Sequence, residues 1–141
     1  MSINEVRYLP ECGSTNAYVK EHFEEFGPVG AVYTENQTAG RGRLGRSWVN
    51  AEGKALYYTV AIREPLAQQQ GRGILCGIGI NLAQPQSYFD AANLPNGTSL
   101  ALQGANVDLA ADPAWLAEGL TDFGFDRNLY TFARDGFAPF R

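Results

Sequence analysis

The hydrophobic pattern of the first half of the chain predicts strands on either side of one helix. Apolar and polar residues alternate in EVRYLP (5–10), which is typical of a short strand. From Ser14, a good helix-capping residue, apolar side chains recur at helical spacing as far as Phe26. The β-branched and aromatic runs VGAVYTEN (29–36) and ALYYTVAI (55–62) predict two more strands. Between them the pattern predicts a loop, a short strand SWVN and a turn at AEGK.

The second half of the chain predicts a further strand, a loop and two helices. In ILCGIGINL (74–82) one strand face carries apolar side chains, while the other is bare around Gly77 and Gly79. A ligand or another backbone could lie flat against that bare face. The segment 83–97 predicts a loop, whereas DPAWLAEGL predicts a helix with Asp112 as N-cap, followed by a second helix over 126–136. Together these elements predict an α+β fold, a mixed β-sheet flanked by helices, in a single domain over residues 1–141.

Composition narrows the classes of function. A length of 141 residues suits one domain, and a net charge of −4 argues against general nucleic-acid binding, which needs a broad basic face. The sequence has no long apolar run for a membrane span and no basic-then-apolar start for a secretory signal. Cys12 and Cys76 lack CxxC spacing, so we expect free thiols in a reducing cytoplasm and no metal site.

The run QTAGRGRLGRSW (37–48) concentrates positive charge on a glycine-rich backbone. It alternates arginines with glycines, and residues 36–51 hold no acidic side chain. GRGRLG formally matches the dinucleotide fingerprint GxGxxG, but the residues after it predict strands rather than the required helix. A solvated surface hairpin is the structural alternative. Free backbone N–H groups beside guanidinium groups favour an anion such as phosphate, over which the loop could close.

The order of motifs resembles the catalytic domain of biotin protein ligases over roughly residues 5–141. The motifs are GSTN at a helix start, TENQTAGRGRLGRSW, ALYYTV, GIGIN and TSL. The resemblance implies an incomplete class II synthetase-like biotin/lipoate ligase fold. It implies an enzyme that joins biotin to ATP, used with Mg²⁺, and passes the biotinyl group from biotinyl-5′-adenylate to a lysine of a biotin carboxyl carrier protein. It also implies a homodimer. From the net charge and the absence of a long apolar run, we expect neither nucleic acid nor a membrane as a partner.

The resemblance also assigns roles to residues. Arg41 and Arg43 would be the catalytic groups, neutralising charge where two anions meet. The biotin and adenylate site would comprise Ser14, Thr15, Asn16, Gln37, Gly40, Arg41, Gly42, Arg43, Arg46, Trp48, Leu56, Tyr57 and Asn81. Several of these residues have a structural alternative. Ser14 or Thr15 could be only a helix cap, Gln37 an exposed loop residue and Trp48 a core residue. The GIGIN segment that contains Asn81 could be a plain buried strand. Ala55 departs from the glycine that the family carries there.

The chain departs from the family pattern in its centre. A helix, a strand with Lys-Trp-Pro-Asn-Asp and a Lys-x-x-Gly-Ile-Leu motif are missing, and the chain's only lysines are Lys20 and Lys54. We therefore expect an internal deletion with its junction near residues 70–73, weak or no ligase activity, and marginal stability. The family's small C-terminal β domain is also missing from this sequence. A non-catalytic biotin-binding remnant and a lipoate–protein ligase stay open as alternatives.

Overall fold

The computed structural model describes residues 4–26, 29–40, 53–63 and 73–122. Its elements are β1 (Asn4–Tyr8), α1 (Thr15–Glu21), β2 (Val29–Thr34), β3 (Ala55–Arg63), β4 (Gly73–Asn81), α2 (Gln86–Ala91) and α3 (Asp112–Gly119). The strand expected at SWVN and the helix expected over 126–136 lie outside the described residues, as do residues 70–72 of the junction expected near 70–73.

The four strands form one sheet, which is mixed as the sequence predicts, in the order β1-β2-β3-β4. β1 pairs with β2 in parallel, and α1 makes the crossover between them. The pairings of β2 with β3 and of β3 with β4 are antiparallel, with Ala31 opposite Val60 and Val60 opposite Cys76. Gly53, at a φ of 85°, stands in the turn that the sequence predicts at AEGK. The fold is therefore α+β.

Hydrophobic side chains cover both faces of the sheet, because successive strand residues point in opposite directions. Every residue of β2 is buried, which is typical of a strand packed on both sides. On one face the core is built around Leu56, Tyr58 and Val60 and packs against α3. On the other face Val19 and Phe26 pack against Val32 and Ala61. The second face also carries the polar side chains described below.

The first helix is shorter than the sequence predicts. α1 ends at Glu21 with His22 as C-cap, and a tighter 3₁₀ turn follows over Phe23–Glu25. That turn closes with the N–H of Phe26 donating to the carbonyl of Phe23 at 3.3 Å. It brings the Phe26 ring fully into the core against Gly30. Burial of one large aromatic side chain therefore outweighs continued helical hydrogen bonding.

The prediction of a loop over 83–97 is wrong, because α2 lies within it. Six residues are too few to show a helical period, and the helix depends on Phe89, which is fully buried. It ends with Asn93 in the left-handed region at φ 58°, while the N–H of Leu94 donates to the carbonyl of Phe89 at 2.8 Å. α3 also differs by one position: Ala111 is its N-cap, and the carboxylate of Asp112 accepts from the N–H of Asp108.

Candidate functional site

An open pocket lies between the start of α1, the loop after β2 and the middle of β3 and β4. It encloses about 410 Å³, counting the solvent-facing space at its mouth. Its lining residues are Ser14, Thr15, Asn16, Gln37, Tyr57, Tyr58, Gly77, Ile78 and Gly79. Five of the residues that the resemblance assigns to the biotin site are thus brought together at this one place. All of the lining side chains are uncharged at neutral pH.

The helix start supplies one wall of the pocket. Ser14 has an extended backbone, and its Oγ accepts a hydrogen bond from the N–H of Ala17 at 3.3 Å, so it is the N-cap of α1. Ser14 is therefore a helix cap, which was the structural alternative to a binding role, and it also lines the pocket. Thr15 follows as a buried residue whose polar groups face the loop after β2.

Gln37 joins that loop to the helix start. Its Oε1 accepts from the backbone N–H of Thr15 at 2.9 Å and from the Thr15 hydroxyl at 3.1 Å. Gln37 is buried, so the alternative of an ordinary exposed loop residue does not hold. Because buried polar groups are costly unless hydrogen-bonded, this double contact fixes the amide in one orientation.

Backbone pairing holds the loop in register with the segment before the helix. Cys12 and Gln37 form a parallel bridge, and the N–H of Thr38 donates to the carbonyl of Cys12 at 3.0 Å. The N–H of Ala39 donates to the carbonyl of Gly13 at 2.6 Å. Burial raises the pKa of the Cys12 thiol, which keeps it in its neutral form. Gly40 is also buried, and in the sequence it directly precedes Arg41.

The floor of the pocket is formed by neighbouring strands. Thr59 of β3 stands opposite Gly77 of β4, and Tyr57 stands opposite Gly79. A Cβ atom at Gly77 would lie 2.5 Å from Oδ1 of Asn16, so the glycine makes room for that amide. The sequence predicts this bare strand face as a place for a ligand or another backbone. In the structure, the side chain of Asn16 lies against it.

Thr59 is the buried residue that sequence reasoning missed. Its Oγ1 lies 2.8 Å from Oγ1 of Thr15 and 2.5 Å from Oδ1 of Asn16. The strand alternation could have found it, because Thr59 shares a face with Tyr57 and follows it by two residues. Thr59 is not itself among the lining residues, whereas Tyr58, Gly77, Ile78 and Gly79 line the pocket although none of them was assigned to the biotin site.

Three assigned residues that the structure describes do not line the pocket: Gly40, Leu56 and Asn81. The side chain of Leu56 is fully buried in the core cluster on the α3 face. The amide of Asn81 donates to the carbonyl of Thr98 at 3.1 Å and accepts from Nε2 of Gln84 at 2.7 Å. Gln84 is itself buried, and within the described part of the chain its Oε1 has no hydrogen-bond partner.

Arg41, Gly42, Arg43, Arg46 and Trp48 lie outside the described residues. In residues 4–26, 29–40, 53–63 and 73–122, no group of three or more His, Cys, Asp or Glu side chains could hold a metal ion. Over the same ranges no helix is long and apolar enough to cross a bilayer.

Comparison with solved structures finds partial likeness to biotin ligases. A biotin protein ligase from Leishmania major, in complex with biotinyl-5-AMP, is 33% identical with a TM-score of 0.40, covering 43% of this chain and 24% of that chain. Biotin acetyl coenzyme A carboxylase synthetase from Helicobacter pylori, with bound biotinylated ATP, is 17% identical with a TM-score of 0.49. That match covers 83% of this chain and 74% of the other.

Comparison of sequences gives the family. The bifunctional ligase/repressor BirA of Escherichia coli and that of Salmonella typhimurium are each 35% identical to this chain over 79 residues. The match covers 56% of this chain and 25% of each relative, so the chain spans about a quarter of their length. The model of the biotin/lipoate A/B protein ligase family matches residues 9–93, which include the whole pocket. The chain therefore belongs to the biotin/lipoate A/B protein ligase family.

Proposed function

We propose that the pocket binds biotin and that the chain acts as an ATP-dependent biotin–protein ligase domain with low turnover. In the first step the biotin carboxylate attacks the α-phosphorus of ATP, and the bond to pyrophosphate breaks. In the second step a lysine amine of a biotin carboxyl carrier protein attacks the biotinyl-5′-adenylate, and AMP leaves. Mg²⁺ would enter with ATP, neutralising phosphate charge.

One observation carries the proposal. A pocket lined by neutral polar side chains includes Gln37, which precedes the arginine run in the sequence. The side chains of Thr15, Asn16 and Gln37 offer amide and hydroxyl groups, which suit a neutral polar ligand head group. Gln37 lines this pocket, and the arginine run begins four residues later in the sequence, at Arg41. A loop carrying Arg41, Arg43 and Arg46 from this point would supply the positive charge that an adenylate requires.

Binding without catalysis is the second candidate function, and the lysines favour it. Lys20 is exposed on α1 and Lys54 is exposed in the turn before β3. Neither lines the pocket, and the chain has no other lysine. An ammonium group facing both the biotin carboxylate and the phosphate is therefore missing, which supports slow adenylation or none.

Biotin titration and pyrophosphate release together test the proposal. Calorimetric titration with biotin and with lipoate distinguishes the biotin site from a lipoate site, and release of pyrophosphate with Mg-ATP measures adenylation. We expect biotin binding, no lipoate binding and slow pyrophosphate release that requires biotin. Binding of biotin without release would leave the non-catalytic candidate, and binding of lipoate alone would refute the biotin assignment.

A matched pair of variants ties the result to the pocket. Gln37→Ala removes the amide that joins the loop to the helix start, so biotin affinity should fall by about tenfold or more. Gln86→Ala removes an exposed amide on α2 that donates to Asp90 of the same helix, and it should bind biotin like the parent. Equal affinity in both variants would place the biotin site elsewhere.

A further inference from the structure

Charge divides the chain into a balanced part and an acidic part. Residues 1–72 carry eight acidic and eight basic side chains, whereas residues 73–122 carry five acidic side chains and no lysine or arginine. α3 lies in the acidic part, and its own charged residues, Asp112 and Glu118, are both acidic. The surface that this part of the chain contributes therefore favours positively charged partners.

α3 carries a large aromatic side chain on its solvent side. Its buried residues are Pro113 and Ala117, and Trp115 lies midway between them in sequence, which puts its side chain on the opposite side of the helix. Trp115 is 70% exposed, the largest value among the exposed large hydrophobic side chains of the described residues. One turn further on, a Cβ atom at Gly119 would meet no atom within 4 Å. The ring therefore contributes little to the core and is accessible to a partner.

Two carboxylates and a second exposed ring continue this surface toward the edge strand β1. Glu118 is a neighbour of Trp115 on the helix surface, because residues three apart lie on one face. Burial, and then the charges of Glu35 and Glu118, raise the pKa of the Tyr33 hydroxyl, so both carboxylates lie near that group. Glu35 also accepts a hydrogen bond from the hydroxyl of Tyr8 at 3.0 Å. The ring centroids of Tyr8 and Tyr33 are 5.1 Å apart, and Tyr8 is 45% exposed.

We propose that Tyr8, Glu35, Trp115 and Glu118 form a docking surface for a basic segment of another protein that presents arginine side chains. A guanidinium group stacks on an aromatic ring and pairs with a carboxylate through two parallel hydrogen bonds. The surface offers one ring and one carboxylate twice, as Trp115 with Glu118 and as Tyr8 with Glu35. It fits arginine better than lysine, whose ammonium group is compact and strongly hydrated.

Other classes of partner fit this docking surface less well. Nucleic acids and anionic lipid headgroups carry negative charge, which the carboxylates repel. A purely apolar segment would bury the carboxylates without neutralising them, which is costly. The competing occupants are a second copy of this chain and another segment of the same chain, and both are distinguished by experiment.

The fluorescence of Trp115 reports whether the docking surface is occupied. The chain has two tryptophans, so Trp48→Phe leaves Trp115 as the single one. Acrylamide should quench its emission readily in the free protein. A synthetic peptide of alternating arginine and serine should change the emission in a saturable titration that weakens with salt. The corresponding lysine peptide should bind about threefold more weakly or worse, and equal affinity for the two peptides would overturn the proposal.

Charge-matched variants locate the binding of the arginine peptide, measured by calorimetry. Glu118→Gln removes one charge from the docking surface and should weaken binding by about threefold. Asp90→Asn removes one charge from the same acidic part of the chain, but from α2, and should bind the peptide like the parent. Trp115→Leu keeps an apolar side chain without the ring and should also weaken binding by about threefold. Equal losses for Glu118→Gln and Asp90→Asn would show general attraction to acidic surface and refute the docking site.

Two further results would give the docking surface to another occupant and overturn the proposal. Strong shielding of Trp115 from acrylamide in the free protein would show that another segment of the same chain covers the ring. Self-association in sedimentation that Trp115→Leu abolishes would make a second copy the occupant. The inference goes beyond the proposed function and does not depend on it, because Tyr33 belongs to the core cluster that packs against α3, whereas α1 forms a wall of the pocket.

Discussion

Replacing Gly77 with alanine should weaken ligand binding while leaving stability nearly unchanged. The new Cβ would lie 2.5 Å from Oδ1 of Asn16 and 3.0 Å from its Nδ2. To reach the 3.4 Å of ordinary contact, the amide must retreat by roughly 0.9 Å. Its hydrogen bond with Thr59 is already at 2.5 Å, so a displacement of that size stretches or breaks it.

Two opposing magnitudes set the stability of this variant. Loss of the bond between Asn16 and Thr59 costs about 0.5–1.5 kcal/mol, since the exposed amide can turn to water instead. Alanine in place of glycine within a strand regains roughly 0.5–1 kcal/mol. The free energy of unfolding should therefore change by less than about 1 kcal/mol. Biotin affinity should nevertheless fall by about tenfold, because the amide that faces the ligand has moved.

Gly30→Ala provides the contrast that makes the reasoning testable. The Cβ of the new alanine would lie 2.6 Å from Cδ1 of Phe26. The Phe26 ring is fully buried, so it cannot swing out into solvent to relieve the contact. Gly30 is also paired on both sides, with Glu5 and Ala61, so the backbone cannot move away. This variant should lose about 1–3 kcal/mol in urea unfolding. If Gly77→Ala unfolds as easily as Gly30→Ala, or binds biotin like the parent, the argument from close contact is wrong.

Substitutions at three further positions test other parts of the structure. Hydrogen bonds with His22, the larger cause, and with Arg7 lower the pKa of Glu25, so its ionised form stabilises the fold. Glu25→Gln should therefore reduce the melting temperature at pH 7. The difference in melting temperature between variant and parent should vanish as the pH falls through the lowered pKa. Burial raises the pKa of Tyr58 from 10 to about 12, so the parent should lose stability as the pH rises from 10 toward 12. Tyr58→Phe should cost about 1 kcal/mol at pH 7, because it removes the hydrogen bond with Thr121. In urea unfolding above pH 10, the free energy of unfolding of this variant should fall less steeply with pH than that of the parent. Asn93 has a φ of 58°, so Asn93→Val should cost about 1–2 kcal/mol by urea unfolding, whereas Asn93→Gly should cost nothing.

The sheet could be predicted from the sequence because its strands carry their own signal. β2 and β3 are buried on both faces, and such strands are continuous apolar and β-branched runs. α2 could not be predicted, since its stability comes from burying Phe89 and from the left-handed Asn93 after it, neither of which leaves a periodic pattern. The early end of α1 has the same cause, a tertiary demand for Phe26 in the core.

The site could be predicted only in part. The resemblance assigned Ser14, Asn16 and Gln37 by motif, but the reason that they meet is the parallel pairing of β1 with β2. Tyr8 pairs with Tyr33, and the bridge between Cys12 and Gln37 continues the same register beyond both strands. No local pattern reveals that register, because it is set by how the crossover helix packs on the sheet.

The distribution of charge supports a division of labour within the proposed site. Within the described residues, the side chains that line the pocket are neutral, and each of Thr15, Asn16 and Thr59 takes part in one hydrogen-bonded network. A pocket of this kind orients a polar head group but does little to hold two anions together, because their repulsion must be offset by positive charge. Neither lysine of the chain lines the pocket, whereas three arginines follow the pocket residue Gln37 within nine positions of the sequence. Selective binding should therefore depend on the strand and helix residues, and adenylation on the arginine run. Arg41→Ala combined with Arg43→Ala should abolish pyrophosphate release while leaving most of the affinity for biotin. Equal loss of both activities would show that the arginines also hold the head group, and the proposed division would be wrong.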